Sequence, residues 1–318
     1  MFSSRTGLPD TELCSIYSAA VGEHAIGTAS DFTHLLALEI APPWPRDAFK
    51  SHHLTADVRA ALDSATTRWP TLRLQALYPH PDRSRDGFTH LLYYRLTDGE
   101  LAYIGTNYLV PHAELPALIT ALTSPGANLI PFESFRQPTA TRELLVCTHG
   151  SRDTCCGTFG YPIYDWLNAH ASEIPGLRIW RTSHTGGHRF APTAIDLPTG
   201  RTWGRLTEAH LPKLLHQPDH PSLHACDRGL AALPAFGQIA ASAVWKQRGS
   251  YPRIIRAHLP GPGDTLDNPR IKLTVLGGNG EETVAVAISL RQTVRVLKSS
   301  GLGQFESIPQ YTAKIVGD

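Results

Sequence analysis

The sequence predicts an α/β chain of α+β character, in which one strand-helix-strand-strand-strand-helix unit occurs twice and a smaller helix-plus-sheet region follows. Short apolar runs bounded by turn residues alternate with segments of helical spacing. The closing parts of the two units can be laid side by side: RLTDGELAYIGTNYLVPHAELPALI (95–119) and AIDLPTGRTWGRLTEAHLPKLL (194–215) each give strand, glycine turn, strand and a helix with an early Leu-Pro. The length of 318 residues, 42% of them apolar, is about twice that of a ~150-residue domain, enough for several cores.

In the first unit THLLALEI (33–40) is a buried strand stopped by APPWP, and 54–69 is a helix through Val58, Ala61, Leu62 and Ala65. Strands follow at 72–78, 88–96 and 101–109, the last two joined by the turn TDGE. A helix over 112–124 carries Pro116 in its first turn, where proline is tolerated. The second unit repeats the order: strand 142–147, helix 161–172, strand 177–183, a hairpin over 193–206 turning at Pro198 to Gly200, and a closing helix over 208–216.

This order suits a thioredoxin-like sheet, with a crossover helix between parallel strands and an antiparallel hairpin plus helix finishing the layer. The first unit lacks a cysteine or histidine pair at the matching positions, so it is expected to be a degenerate scaffold copy. From 222 onward one or two helices interrupted near Pro234 are expected, then strands PRIIRAHL, RIKLTVLG, TVAVAISL and QTVRVLK. The glycines of LGGNGEE (276–282) join two alternating segments with no helix after them, which makes them a hairpin turn and not a phosphate loop. The expected divisions are 1–135, 136–220 and 221–318.

With 29 basic and 28 acidic side chains the net charge is +1, which gives no electrostatic reason to expect nucleic acid or an anionic membrane as partner. The start MFSSRTGLPDTELC lacks a secretory pattern, and no run approaches the ~20 apolar residues that span a bilayer, so a soluble cytoplasmic protein is expected. In that compartment the five cysteines are expected to be free, metal-binding or redox-active. Cys14 and Cys226 stand alone in the sequence and read as small buried hydrophobes.

The other three cysteines crowd VCTHGSRDTCCGTFG (146–160), and two histidines follow in SHTGGHRF (183–190). Cys147 ends a strand, and a polar loop of eight residues separates it from Cys156, long enough to bring both sulfurs to one metal. His184 and His188 are four positions apart around Gly186 and Gly187, which permit tight backbone approach. Two thiolates and two imidazoles suit zinc, usually with two to four residues between the cysteines. They also suit a 2Fe-2S cluster, where two histidines on one iron raise the potential and let imidazole protons move with the electron.

C-T-H-G-S-R-D-T-C-C-G, then S-H-T-G-G-H-R-F-A-P-T, then W-G-R-L resemble the sucrase/ferredoxin-like family, thioredoxin-like ferredoxins that hold a 2Fe-2S cluster with two cysteines and two histidines. The resemblance is strong over roughly 140–210 and extends to the first unit through the GTA of 27–29 and the LE of 38–39. It implies a ferredoxin domain in the second unit, with ligands at Cys147, Cys156, His184 and His188. Cys155 stands beside Cys156, but the Cys-Gly step matches the family at Cys156. His149 and Arg152 are candidates to donate hydrogen bonds to the sulfurs.

The function this implies is electron transfer coupled to protons through the histidines, as a carrier or redox module with unnamed donor and acceptor proteins and no assigned catalytic residue. The rivals are a structural zinc protein and a thioredoxin-like thiol oxidoreductase using Cys155 and Cys156. No placement of Asp or Glu singles out a carboxylate hydrolase, and no dinucleotide fingerprint or P-loop is present.

Overall fold

The computed structural model of the chain describes residues 11–259, 269–278 and 280–317; the polar start over 1–10 and Asn279 of the glycine turn lie outside them. After a short helix α1 (Cys14–Ala20), the first unit runs β1 (His34–Glu39), α2 (Ala56–Arg68), β2 (Leu72–Leu77), β3 (Phe88–Leu96), β4 (Tyr103–Pro111) and α3 (Leu115–Thr123). The two-residue strand β5 (Arg136–Gln137) follows. The second unit runs β6 (Arg142–Cys147), α4 (Thr154–Ala169), β7 (Leu177–Thr182), β8 (Ala194–Leu197), β9 (Arg201–Trp203) and α5 (Leu211–His216).

Both units build the same thioredoxin-like order within one ten-stranded sheet, β10-β9-β8-β6-β7-β2-β1-β3-β4-β5, where β10 is Asp227–Leu230. β1 pairs parallel with β2 and antiparallel with β3, and β6 does the same with β7 and β8. The duplication seen in the element order is therefore present in space. The halves join edge to edge through β2 and β7 at the pair Leu77 and Thr182. The sheet runs on past residue 135, where β5 pairs with β4, and past 220, where β10 pairs with β9.

Alternation along the strands explains why two copies belong together. Leu36 and Leu38 of β1 pack with Val58, Leu62 and Leu118 of α2 and α3, and Leu144 and Val146 of β6 pack with Ile163, Leu167 and Leu211 of α4 and α5. The opposite faces bury one another: Leu35, Ala37 and Tyr94 of the first unit share a core with Leu145, Trp180 and Ile195 of the second. Strands covered on both faces carry continuous apolar runs, as LLAL (35–38) and LLVC (144–147) do. Within this shared core Glu143 accepts hydrogen bonds from Asn107 Nδ2 (2.8 Å) and Trp180 Nε1 (2.7 Å), a polar clamp between the halves.

The C-terminal region differs from expectation in three places. In the stretch 223–249 the expected helix is present after Pro234 as α6 (Ala235–Arg248), but before the proline the chain gives β10 on the main sheet and not a helix. The two strands expected over 283–298 are one long strand β13 (Gly280–Leu297), irregular between Leu290 and Gln292. The strand β14 (Phe305–Val316), in which only Gln310 is buried, was not expected at all. With β11 (Ile254–His258) and β12 (Arg270–Gly277) these form a second, four-stranded antiparallel sheet against α6. The β12–β13 turn closes on the pair Gly277 and Gly280, as a hairpin.

Candidate metal centre

Cys147 is the last residue of β6 and is fully buried. The cysteines after it lie on a helix and not on the expected loop: α4 starts at Thr154, and the side chain of Asp153 caps it by accepting from Cys155 N (3.0 Å). Cys155 and Cys156 thus occupy the first turn, where unpaired N–H groups favour thiolates. Gly160 seats this helix. A Cβ there would stand 1.9 Å from the Cys147 carbonyl oxygen, so only glycine lets α4 press on the end of β6.

The parallel register of β6 and β7 sets Cys147 beside Thr182, and His184 follows two residues later. Gly187, at φ +67° and with space for no Cβ, which would stand 2.4 Å from Arg228 Nη2, turns the chain so that His188 comes back toward His184. The outcome is a convergence. Ligand atoms of Cys147, Cys156 and His184 lie within 4.8 Å of one another, with Cys156 Sγ 3.7 Å from His184 Nδ1. The His188 ring stands beside them, its centroid 5.6 Å from that of His184.

The sulfurs are inside and the imidazoles half outside: Cys147 and Cys156 are 0% and 1% exposed, whereas the His188 side chain is 18% exposed. The Cys156 side chain holds the Cys147 thiol well below its ordinary range, and Cys147 together with burial pushes that of Cys156 up. Burial lowers His188 to about 4, against the pull of Asp153, which leaves a neutral imidazole at pH 7. Its Nδ1 lies 3.3 Å from Asp153 Oδ2 and 3.2 Å from Cys14 Sγ, so Nε2 is the ring nitrogen left for a metal.

Two cations beside the thiols were not foreseen. Arg73 Nη2 donates to His184 O (2.7 Å), and Arg228 Nη1 donates to Gly186 O (3.0 Å) while its Nε reaches Thr28 Oγ1 (3.1 Å). Burial lowers both, Arg228 to about 10, so both stay charged at neutral pH and offset the thiolates. The signal was an arginine within an apolar run, LRLQALY. For Arg228 it was masked by the helical expectation.

At His149, Nδ1 accepts from His184 N (3.2 Å) and Nε2 donates to Pro45 O (2.9 Å), so it holds the histidine loop in place, while its backbone N–H bonds toward the Cys147 sulfur and lowers that thiol. At Arg152 it is the backbone carbonyl that is bonded, to Arg46 (3.1 Å). Cys155 and Cys156 send their sulfurs to different groups, Cys155 to Cys14 (3.7 Å). Cys14 is therefore not an isolated hydrophobe, and Cys226, buried with Leu223 and Trp245, also places its thiol 3.5 Å from His210 Nδ1 and 3.7 Å from Arg205 O. No described helix is long and apolar enough to cross a membrane.

A donor set of two buried thiols and two imidazoles, backed by buried cations, suits a thiophilic metal or an iron–sulfur cluster. Comparison with known proteins gives one finding: the family model described as sucrase/ferredoxin-like matches residues 25–224, which takes in both thioredoxin-like units and all four candidate ligands. No curated protein and no solved structure matches.

Proposed function

The chain belongs to the sucrase/ferredoxin-like family, and from that premise we propose that it holds a 2Fe-2S cluster on Cys147, Cys156, His184 and His188 and works as an electron-transfer protein. The observation that carries this is the convergence of the Cys147, Cys156 and His184 donor atoms within 4.8 Å, with the His188 ring adjacent, on the second thioredoxin-like unit. When bound, the cluster supplies one-electron chemistry at a potential that histidine ligation sets high.

The chain's own residues do the rest. Cys147 and Cys156 come from two elements pinned together at Gly160, so their approach is fixed before anything binds. His149 and Arg73 hold the backbone of His184, and Arg228 holds that of Gly186. Asp153 keeps the Nδ1 side of His188 occupied, and hydrogen bonds from Ser299 and Ser300 hold that carboxyl below its usual range in spite of burial. The half-buried histidine edge is where a redox partner and protons would reach the centre.

Histidine ligation has a direct test. His184→Cys and His188→Cys each replace a neutral donor by an anionic one, so a cluster retained in either variant should titrate lower by on the order of 100 mV. An unchanged or raised midpoint in both variants would remove the histidines from the ligand set.

A further inference from the structure

Outside the proposed ligand set lies a second pair of thiols. Cys14 opens α1 and precedes the family-matched segment, whereas Cys155 sits in α4 next to Cys156. Their Sγ atoms are 3.7 Å apart and both residues are fully buried. The Ser300 hydroxyl, from the β13–β14 turn, is 3.2 Å from Cys155 Sγ and 3.3 Å from Cys14 Sγ. Each thiol touches the metal centre: Cys155 through its peptide bond to Cys156, and Cys14 through the 3.2 Å contact of its sulfur with His188 Nδ1.

Asp153 lies close enough to suggest a second metal site, but its oxygens are already committed. Oδ1 accepts from Cys155 N (3.0 Å) and Ser300 Oγ (2.8 Å), and Oδ2 accepts from Ser299 Oγ (2.7 Å) and Ser300 N (3.0 Å). With Cys14 Sγ 3.6 Å from Oδ1 and His188 Nδ1 3.3 Å from Oδ2 as well, the carboxylate is fully engaged by the protein's own groups. What stays free to react is the sulfur pair itself.

We propose that Cys14 and Cys155 form a reversible dithiol/disulfide couple, a two-electron site set against the metal centre. Closing it brings the sulfurs from 3.7 Å to about 2.05 Å. Two S–H bonds break, one S–S bond forms, and two electrons and two protons leave together to a two-electron acceptor such as a diazene or a small disulfide. In reverse, a dithiol reductant supplies two electrons and two protons, is itself oxidised to its disulfide, and so reopens the bond. The couple does not depend on the cluster proposal.

The test equilibrates the full-length protein in dithiothreitol buffers of graded potential, with diamide at the oxidising end. Acid quenching in denaturant, alkylation and mass spectrometry of the digest then follow. A Cys14–Cys155 linked peptide is expected, with a linked-to-free ratio that changes about tenfold per 30 mV, the slope of a two-electron couple. It should be absent from Cys14→Ser and from Cys155→Ser and unchanged in Cys226→Ser. Full alkylation of Cys14 and Cys155 at the most oxidising poise, or a linkage through Cys156 in place of Cys155, would overturn the proposal. Visible absorbance of the same samples keeps the two proposals apart: a colourless protein that still forms the link defeats the cluster and leaves the couple standing.

Discussion

Cys147→Ser and Cys156→Ser are each expected to purify with iron content reduced about tenfold or more, whereas Cys155→Ser keeps that of the parent. A serine hydroxyl is a harder and far less acidic donor than a thiol, and the sulfurs of Cys147 and Cys156 converge with His184 within 4.8 Å. Cys155 is one residue away but half a helical face apart in effect, with its sulfur on Cys14 and Ser300. Iron analysis of the three variants, with circular dichroism to confirm folding, decides the matter. If Cys155→Ser alone loses its iron, the ligand assignment is off by one residue.

Gly160→Ala is the second large effect. Alanine is the better helix former by about 1 kcal/mol, so on propensity alone this change in the interior of α4 should stabilise. The added methyl, however, would stand 1.9 Å from the Cys147 carbonyl oxygen and 3.1 Å from its carbon, both backbone atoms that cannot step aside. The helix has to lift off β6. The expected net cost is about 2–3 kcal/mol, toward the upper end for overpacking, and Cys156 moves with the helix, so metal retention falls as well. Gly99→Ala, where an added Cβ meets nothing within 4 Å, is the control and should stay within about 0.5 kcal/mol of the parent in urea denaturation. Equal stability of the two variants would mean that α4 is not held against β6 in this way.

Gly160 also shows why part of this fold was hidden in the sequence. The helix was expected over 161–172, yet it starts at Thr154 and takes in Gly157 and Gly160, and Gly160 is there because the helix crosses a backbone at close range. The strands of the two units were legible, 88–96 and 142–147 to the residue, because burial on both faces makes them continuously apolar. β10 was not, since it carries Asp227 and Arg228, two charges buried for long-range partners: Arg228 bonds to Thr28, far back in the chain.

The site divides in the same way. Four candidate ligands stood out because they lie in two compact segments with glycines between them, and the structure brings Cys147, Cys156 and His184 together with His188 alongside. Cys14, Ser299 and Ser300 gave no local signal. Their relation to Asp153 and Cys155 exists only once the C-terminal sheet and α1 have folded against α4. Arg73 is half visible, a charge in an apolar strand, but its purpose appears only with the His184 carbonyl in view.

The most direct test is chemical analysis of protein purified without air, for iron, zinc and acid-labile sulfide, together with its absorption spectrum before and after dithionite. A cluster on Cys147, Cys156, His184 and His188 gives iron and inorganic sulfide in equal amounts, two of each per chain, and a brown colour that bleaches on reduction. A colourless protein with one zinc per chain and no inorganic sulfide would contradict it and assign the same four residues to a structural zinc ion.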